Sequence, residues 1–478
     1  MDLQRRRDRE RYARELAYAA PSGMVAAATA ARLAGDWRGA CAAAGVDVRI
    51  DPSDAAFLDA DLAGLAPDLL RRHLPRAGNH AVRPALSVVL SRRATVEPRT
   101  PVLLLTTPAT VTASQRLELT VSCLAELDRD WLDLPPWTWH ASEVADRRWA
   151  YGASAERVAW HFADGTAYPQ GTSTPADPVP DQEETLTPAD LRGTADPAPD
   201  RAAEFERLLR PIAPEGMEEG MEELYRSAGL DTDDRYRSEW YSRLLTAEQD
   251  RLPLLAAETR RLAGRYGELA TVFPTLVAGG LELRVSEEGT PVVGIWNRRR
   301  RRGGPPSPYG LGLAAPLDVA LLRWGALSRD ELHPLVHAAL FPGRVQRWRP
   351  VGHNSSAAIR VRCGADWHLV EIAGASLRLP DHDEAEVRRE TMLAVLGGRS
   401  SGCAAALAAF RTGKKPMPKE IRKWRRHFFA RLVHGDSATV LADLAAGCDP
   451  LLRDPQGRTL RQAAAAAGAE TVVAALPG

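Results

Sequence analysis

Lysine is nearly missing from this 478-residue chain: Lys414, Lys415, Lys419 and Lys423 stand in one stretch, and every other side-chain cation apart from histidine is arginine. That confinement excludes a G-x-x-x-x-G-K-[ST] phosphate loop, because no glycine sits six residues ahead of Lys414. Cysteine is scarce and odd in number, with Cys41, Cys123, Cys363, Cys403 and Cys448 scattered and no C-x-x-C pair among them. Such spacing speaks against a disulfide framework and against a zinc knuckle, so a reducing compartment and a chain without metal or cofactor are expected. No stretch approaches 18 uninterrupted apolar residues, which predicts no membrane span and no membrane partner. The opening residues "MDLQRRRDRERYARELAYAA" mix acids with arginines and lack the apolar centre of a secretory signal, so a soluble, cytoplasmic protein is expected. Neither sign of charge prevails, since 62 basic and 62 acidic side chains cancel, and any attraction to nucleic acid must therefore be local. G-x-S-x-G and H-E-x-x-H are both absent, and "YGLGLAA" near Gly310 offers G-x-G without the third glycine of a dinucleotide site.

What remains is an ordinary globular composition, 45% apolar and 26% charged, in a chain long enough for two to four domains. Residues 1–165 read as an α+β domain. Alanine-rich helical text, broken at Gly35-Asp36, leads to a helix "LDADLAGLAPDLLRRHLP" and then to the branched or alternating strand segments "PALSVVLSRR", "PVLLLTTPATV" and "RLELTVSC". The segment 166–202, with its six prolines and seven acids between 171 and 200, reads as a linker. Residues 203–415 form a mixed helix and sheet domain, with helices through "AEQDRLPLLAAETRRLAGRYGELATVFPTLV" and two hairpins turning at Glu288-Gly289 and Gly364-Ala365-Asp366. The fold class expected is therefore multidomain α+β, closed by a short helical-hairpin array over 416–478.

That array carries the most specific text in the chain. Gly435 and Gly468 lie 33 residues apart, and at this offset Val440 falls on Val473 and Thr439 on Val472. Asp454-Pro455-Gln456-Gly457 is β-turn text, Thr459 is placed to cap the following helix, and Gly447 and Gly468 suit helix ends. With Asp454, Gly457, Arg458, Thr459, Ala464, Ala465 and Gly468 in register, and with Gly435, Val440, Gly447 and Asp449 in the preceding unit, residues 426–478 resemble the ankyrin-repeat family. Leu460 and Gln462 depart from the family's proline and histidine. The resemblance implies stacked helical hairpins that bind another protein through turn tips, here Arg453, Gln456 and Arg458. About three units are normally needed for stability, so the pair must lean on upstream chain, with "KEIRKWRRHFFARL" as the natural contact. The text "MVAAATAARLAGDWRGACAAAG" near the start echoes "GDSATVLADLAAGCD", but its next glycine comes two residues early and the echo reads as composition alone.

Two basic clusters suggest an alternative, nucleic-acid partner: Arg298, Arg299, Arg300, Arg301 and Arg302 in "WNRRRRRGGPP", and the four lysines in "RTGKKPMPKEIRKWRR". A third reading is an enzyme with an unfamiliar site among His140, Glu143 and His161 in the tryptophan-rich region, although isolated histidines beside aromatics are usually packed core residues. No residue is assigned a catalytic role on the sequence, and the expected function is that of a non-enzymatic interaction or scaffold protein.

Overall fold

The branched and alternating segments fold as strands in the computed structural model, which describes residues 3–51, 58–77, 80–92, 99, 101–127, 131–162, 165–168, 200–208, 217–232, 251–266, 270–274, 280–286, 289–296, 310–311, 317–349, 357–396, 402–414 and 417–476. The molecule is mixed helix and sheet. No helix among the described residues is long and apolar enough to cross a membrane. The predicted linker at 171–200 lies almost wholly outside the described residues, as do Arg298 to Arg302 and Lys415.

Ten strands share one sheet, and their order follows a simple rule. The first five, β1 (Val46–Arg49), β2 (Ser87–Arg92), β3 (Pro101–Thr106), β4 (Leu117–Cys123) and β5 (Trp131–Asp133), lie in the order β1-β4-β3-β2-β5. The next five, β6 (Asp231–Thr232), β7 (Ala270–Pro274), β8 (Gly280–Val285), β9 (Pro291–Trp296) and β10 (Gly310–Leu311), lie in the mirrored order β10-β7-β8-β9-β6. Pairing is the same in each half: a three-stranded antiparallel meander is flanked by a parallel strand at either side. The halves join where β5 runs parallel to β10. One α+β arrangement is thus used twice, and the sheet passes without a break through both segments delimited in the sequence, 1–165 and 203–415. Hydrophobic burial crosses the join too, because Leu16, Trp137 and Tyr151 share a core with Leu224, Leu281, Val293 and Leu322.

Three local readings are revised by the structure. "LDADLAGLAPDLLRRHLP" is two short helices, Asp59–Ala63 and Pro67–His73, because Leu65 bridges to His140 and Pro67 restarts the ladder where its missing N–H is harmless. The helical text ending "ATVFPTLV" stops at Tyr266, and β7 follows. β1, β5 and β7 had no separate signal in the sequence.

The chain then builds a further core. A three-stranded antiparallel sheet, β11 (Ala357–Cys363), β12 (Asp366–Ala373) and β13 (Ser376–Arg378), contributes Ile359, Val370, Ile372 and Leu377. Against these pack Phe410, Trp424, Phe428, Phe429, Val440 and Val472 from the helices that follow. The helical tail and residues 357–412 are therefore one hydrophobic unit.

Candidate functional site

Four helices make up the tail: Lys419–Val433, Ser437–Ala445, Leu460–Ala466 and Glu470–Ala475. Each pair turns on a glycine in the left-handed region, Gly435 at φ +78° and Gly468 at φ +71°, where a side chain would be strained. After the first turn, Asp436 caps the next helix by accepting from the Thr439 backbone N–H at 3.3 Å.

The same corner occurs near the start of the chain. Gly35 takes φ +76°, and Asp36 caps helix Trp37–Ala43 by accepting from the Gly39 N–H at 2.7 Å. Helix Ser22–Leu33 of this hairpin packs directly on helix Ser437–Ala445, with a Cβ built on Gly23 falling 2.7 Å from the Ala438 Cβ. The echo between the two texts is thus a repeated physical device, which corrects its reading as composition. Three helical hairpins stand side by side, and the first comes from the opposite end of the chain. Tyr18 reinforces the contact, its hydroxyl 2.5 Å from His427 Nδ1 and its ring stacked 4.9 Å from His434. The last hairpin is fastened to the large sheet as well, with the Ser114 hydroxyl donating to the Ala467 carbonyl at 2.6 Å. A cleft of about 450 Å³ opens where the hairpin corners meet, bordered by Gly45, Arg116, Gly435, Asp436, Gly468 and Glu470.

Between the second and third hairpins the chain makes a tight loop closed by a bridge between Arg453 and Thr459. Asp454 organises it from a buried position, accepting from the backbone N–H groups of Gln456 at 2.9 Å and Arg458 at 2.8 Å and from Arg458 Nε at 2.6 Å. Gly457 supplies φ +81°. Gln462 completes a reciprocal cap: the Thr459 N–H donates to Gln462 Oε1 at 2.9 Å and the Gln462 N–H donates to Thr459 Oγ1 at 3.2 Å. Gln462, which departs from the family pattern, therefore still secures the helix start. Of the three residues predicted at this tip, Gln456 is exposed, Arg453 is half-buried and Arg458 is engaged with Asp454. The exposed point of the turn is Pro455-Gln456-Gly457.

The basic stretch divides in the same way. Arg425 is buried and donates to the carbonyls of Phe410 and, at 2.6 Å, Arg453, while Arg411 pairs with Asp449 at 2.7 Å. Lys414, Lys419 and Lys423 are exposed, as are Arg422 and Arg426. Lys419, Arg422, Lys423 and Arg426 share one helical face, being three and four residues apart.

Of the residues considered for catalysis, His140 and His161 each lie against a main-chain carbonyl. His140 lies with Nε2 3.2 Å from the Ala60 carbonyl and Nδ1 2.8 Å from the Ser142 hydroxyl; Glu143 precedes helix Val144–Ala150. His161 is buried, with Nδ1 2.9 Å from the Ala159 carbonyl and its ring edge on Phe341, and burial lowers its pKa. The two histidines thus occupy different surroundings. A buried pair that the sequence did not suggest, His333 with Asp68 at 2.8 Å, has the geometry of an acid-base dyad. Yet His333 Nδ1 accepts from the Leu335 N–H at 3.2 Å, so Nε2 carries the proton donated to Asp68, and no lone pair of the ring remains for base chemistry. Burial lowers the His333 pKa, which keeps this neutral form at neutral pH.

Among the described residues, one group has the composition of a metal ligand set: Cys363, His368, His382 and Cys403. The absence of C-x-x-C therefore did not exclude such a group, because the fold assembles it from positions as much as 40 residues apart, 363 to 403. Comparison with family models, with curated proteins and with solved structures finds no match.

Proposed function

We propose that the chain is a non-enzymatic interaction protein that holds a protein partner on its stacked helical hairpins, in the manner its resemblance to ankyrin repeats implies. The observation that carries this reading is the loop 453–459. Its backbone is fixed from below by buried Asp454 and by the Thr459–Gln462 cap, so that Pro455, Gln456 and Gly457 face solvent in a set conformation. A rigid exposed turn binds without an ordering cost, whereas a mobile one loses part of its contact energy to entropy. The third hairpin supplied by residues 22–43 answers the need of a short array for further neighbours.

The test is crosslinking of the intact chain in its own cells, followed by recombinant binding to the protein recovered. Gln456→Glu and Pro455→Asp are expected to weaken that complex at least tenfold with an unchanged melting temperature. Equal affinity for both variants would end the proposal. Arg458→Glu is a poorer probe, because it places a second acid against buried Asp454.

A second reading rests on the exposed cationic face of helix Lys419–Val433. If it meets nucleic acid, four phosphate contacts give a slope of log K against log salt of about −3.6 for duplex DNA, falling in magnitude by about 0.9 for each cation removed. A gel shift without retardation at low salt removes this reading and leaves the first intact.

A further inference from the structure

Four chemically reactive side chains, distant in sequence, meet at one edge of the small sheet. Cys363 ends β11 and His368 lies on β12, beyond the turn at Gly364. His382 stands just ahead of helix Glu384–Val395, and Cys403 lies in the first turn of helix Gly402–Thr412. One sulfur or ring nitrogen from each lies within 4.8 Å of every other. We infer that Cys363, His368, His382 and Cys403 are the four ligands of a structural zinc ion.

The distances fit with small adjustments. Tetrahedral zinc, with Zn–S about 2.3 Å and Zn–N about 2.0 Å, sets its ligand atoms about 3.3–3.8 Å apart. The widest separation here exceeds that by no more than about 1 Å. His368 Nδ1 and His382 Nε2, at 2.7 Å, fall short of it by about half an ångström. An ion at the centre spreads the imidazoles, and turns of the four side chains cover such shifts.

Two further features favour the ion. Glu386 places Oε2 3.1 Å from His382 Nδ1, so the carboxylate favours the form with its proton on Nδ1, and Nε2, 2.7 Å from His368 Nδ1, is the nitrogen turned to the cluster. That is the tautomer a metal-bound imidazole needs, held by the kind of outer carboxylate that commonly accompanies zinc histidines. Gly402 has φ +56°, and a Cβ there would lie 2.7 Å from both Cα and Sγ of Cys363. Only glycine lets the helix begin close enough to bring Cys403 beside Cys363.

Two thiolates with two imidazoles are a donor set for zinc rather than for magnesium or calcium. Four protein ligands leave no coordination position for a substrate, so the role is structural. The ion would pin the β11–β12 hairpin to the helix Gly402–Thr412, whose Cys403, Ala406 and Phe410 support the core under the hairpin stack.

The experiment uses the full-length protein, purified in reducing buffer without added metal. Plasma mass spectrometry is expected to find one zinc per chain, and replacement by Co2+ to give thiolate-to-cobalt charge-transfer and tetrahedral ligand-field bands. Cys403→Ser and His382→Ala should lose both metal and bands, while Cys448→Ser keeps them. Glu386→Gln retains all four ligands and should weaken zinc binding about 10–100-fold in chelator competition. The inference is overturned if folded, reduced wild-type protein contains no zinc and takes up neither Zn2+ nor Co2+. Full zinc content in Cys403→Ser, or a Cys363–Cys403 disulfide under reducing conditions, overturns it equally.

Discussion

Gly23→Ala should destabilise this protein, against the ordinary preference of helices. Gly23 is the second residue of helix Ser22–Leu33, and on an exposed helix the change to alanine gains up to about 1 kcal/mol. Here the new methyl would stand 2.7 Å from the Ala438 Cβ. Carbon atoms prefer about 3.5–4.0 Å, so the two helices must part by roughly 1 Å. Both groups are attached directly to helical backbone, and neither can swing aside as the end of a long side chain would. Overpacking of this kind costs about 1–3 kcal/mol, which leaves a net loss of about 1 kcal/mol after the helix preference is subtracted. Ala438→Gly alone loses about 1 kcal/mol of helix preference. In the double variant the methyl has only changed helix, and stability should return to near that of the wild type. The expected coupling of about 2 kcal/mol is read from urea unfolding curves of the four proteins at equal m value. Independent effects, with Gly23→Ala stabilising in both backgrounds, would refute direct contact between the amino-terminal hairpin and the tail.

Acid should weaken the fold through its buried histidines. His73 is held well below its ordinary 6.5 by burial and by the charges of Arg72 and Arg147, and burial lowers His333 too. The unfolded chain takes up these protons below pH 6.5 while the folded chain does not, so stability is full above that value and falls as pH drops, by up to about 1.4 kcal/mol per pH unit for each histidine. Melting temperatures between pH 7.5 and 5.5 should show the decline, and His73→Asn should make it shallower; an unaltered slope would assign the effect to other groups. Asp454→Ala, which strips the loop of three acceptor contacts, should cost about 1–3 kcal/mol in urea unfolding and weaken partner binding together. Loss of binding at full stability would show that Asp454 touches the partner rather than shaping the turn.

Local chemistry was legible in the sequence, and long-range pairing was not. The hairpins at β8–β9 and β11–β12 and the meander β2-β3-β4 follow from alternation and turn residues, and the Gly435 and Gly468 corners follow from helix-ending glycines. β5, three residues long, and β10, of two, carry no pattern of their own; their neighbours define them, and with them the mirrored sheet. The contact of Gly23 with Ala438 spans most of the chain, and only the repeated Gly-Asp corner hinted at it. The Cys/His group was hidden for a similar reason. Its ligands are separated by four, 13 and 20 residues, so its shape belongs to the sheet edge and the helix start rather than to a local motif. Arg425 shows the converse limit, since a residue counted in a basic run proved to be a buried donor to carbonyl groups.

Hydrogen exchange on Gly23→Val tests the stack of three hairpins most directly. Forcing that helix away from Ala438 should raise exchange at residues 22–43 and, in the same protein, at 435–449, while the amides of β7 to β9 keep their protection. Faster exchange confined to residues 22–33, with 435–449 unchanged, would contradict the shared stack and the interaction surface proposed upon it.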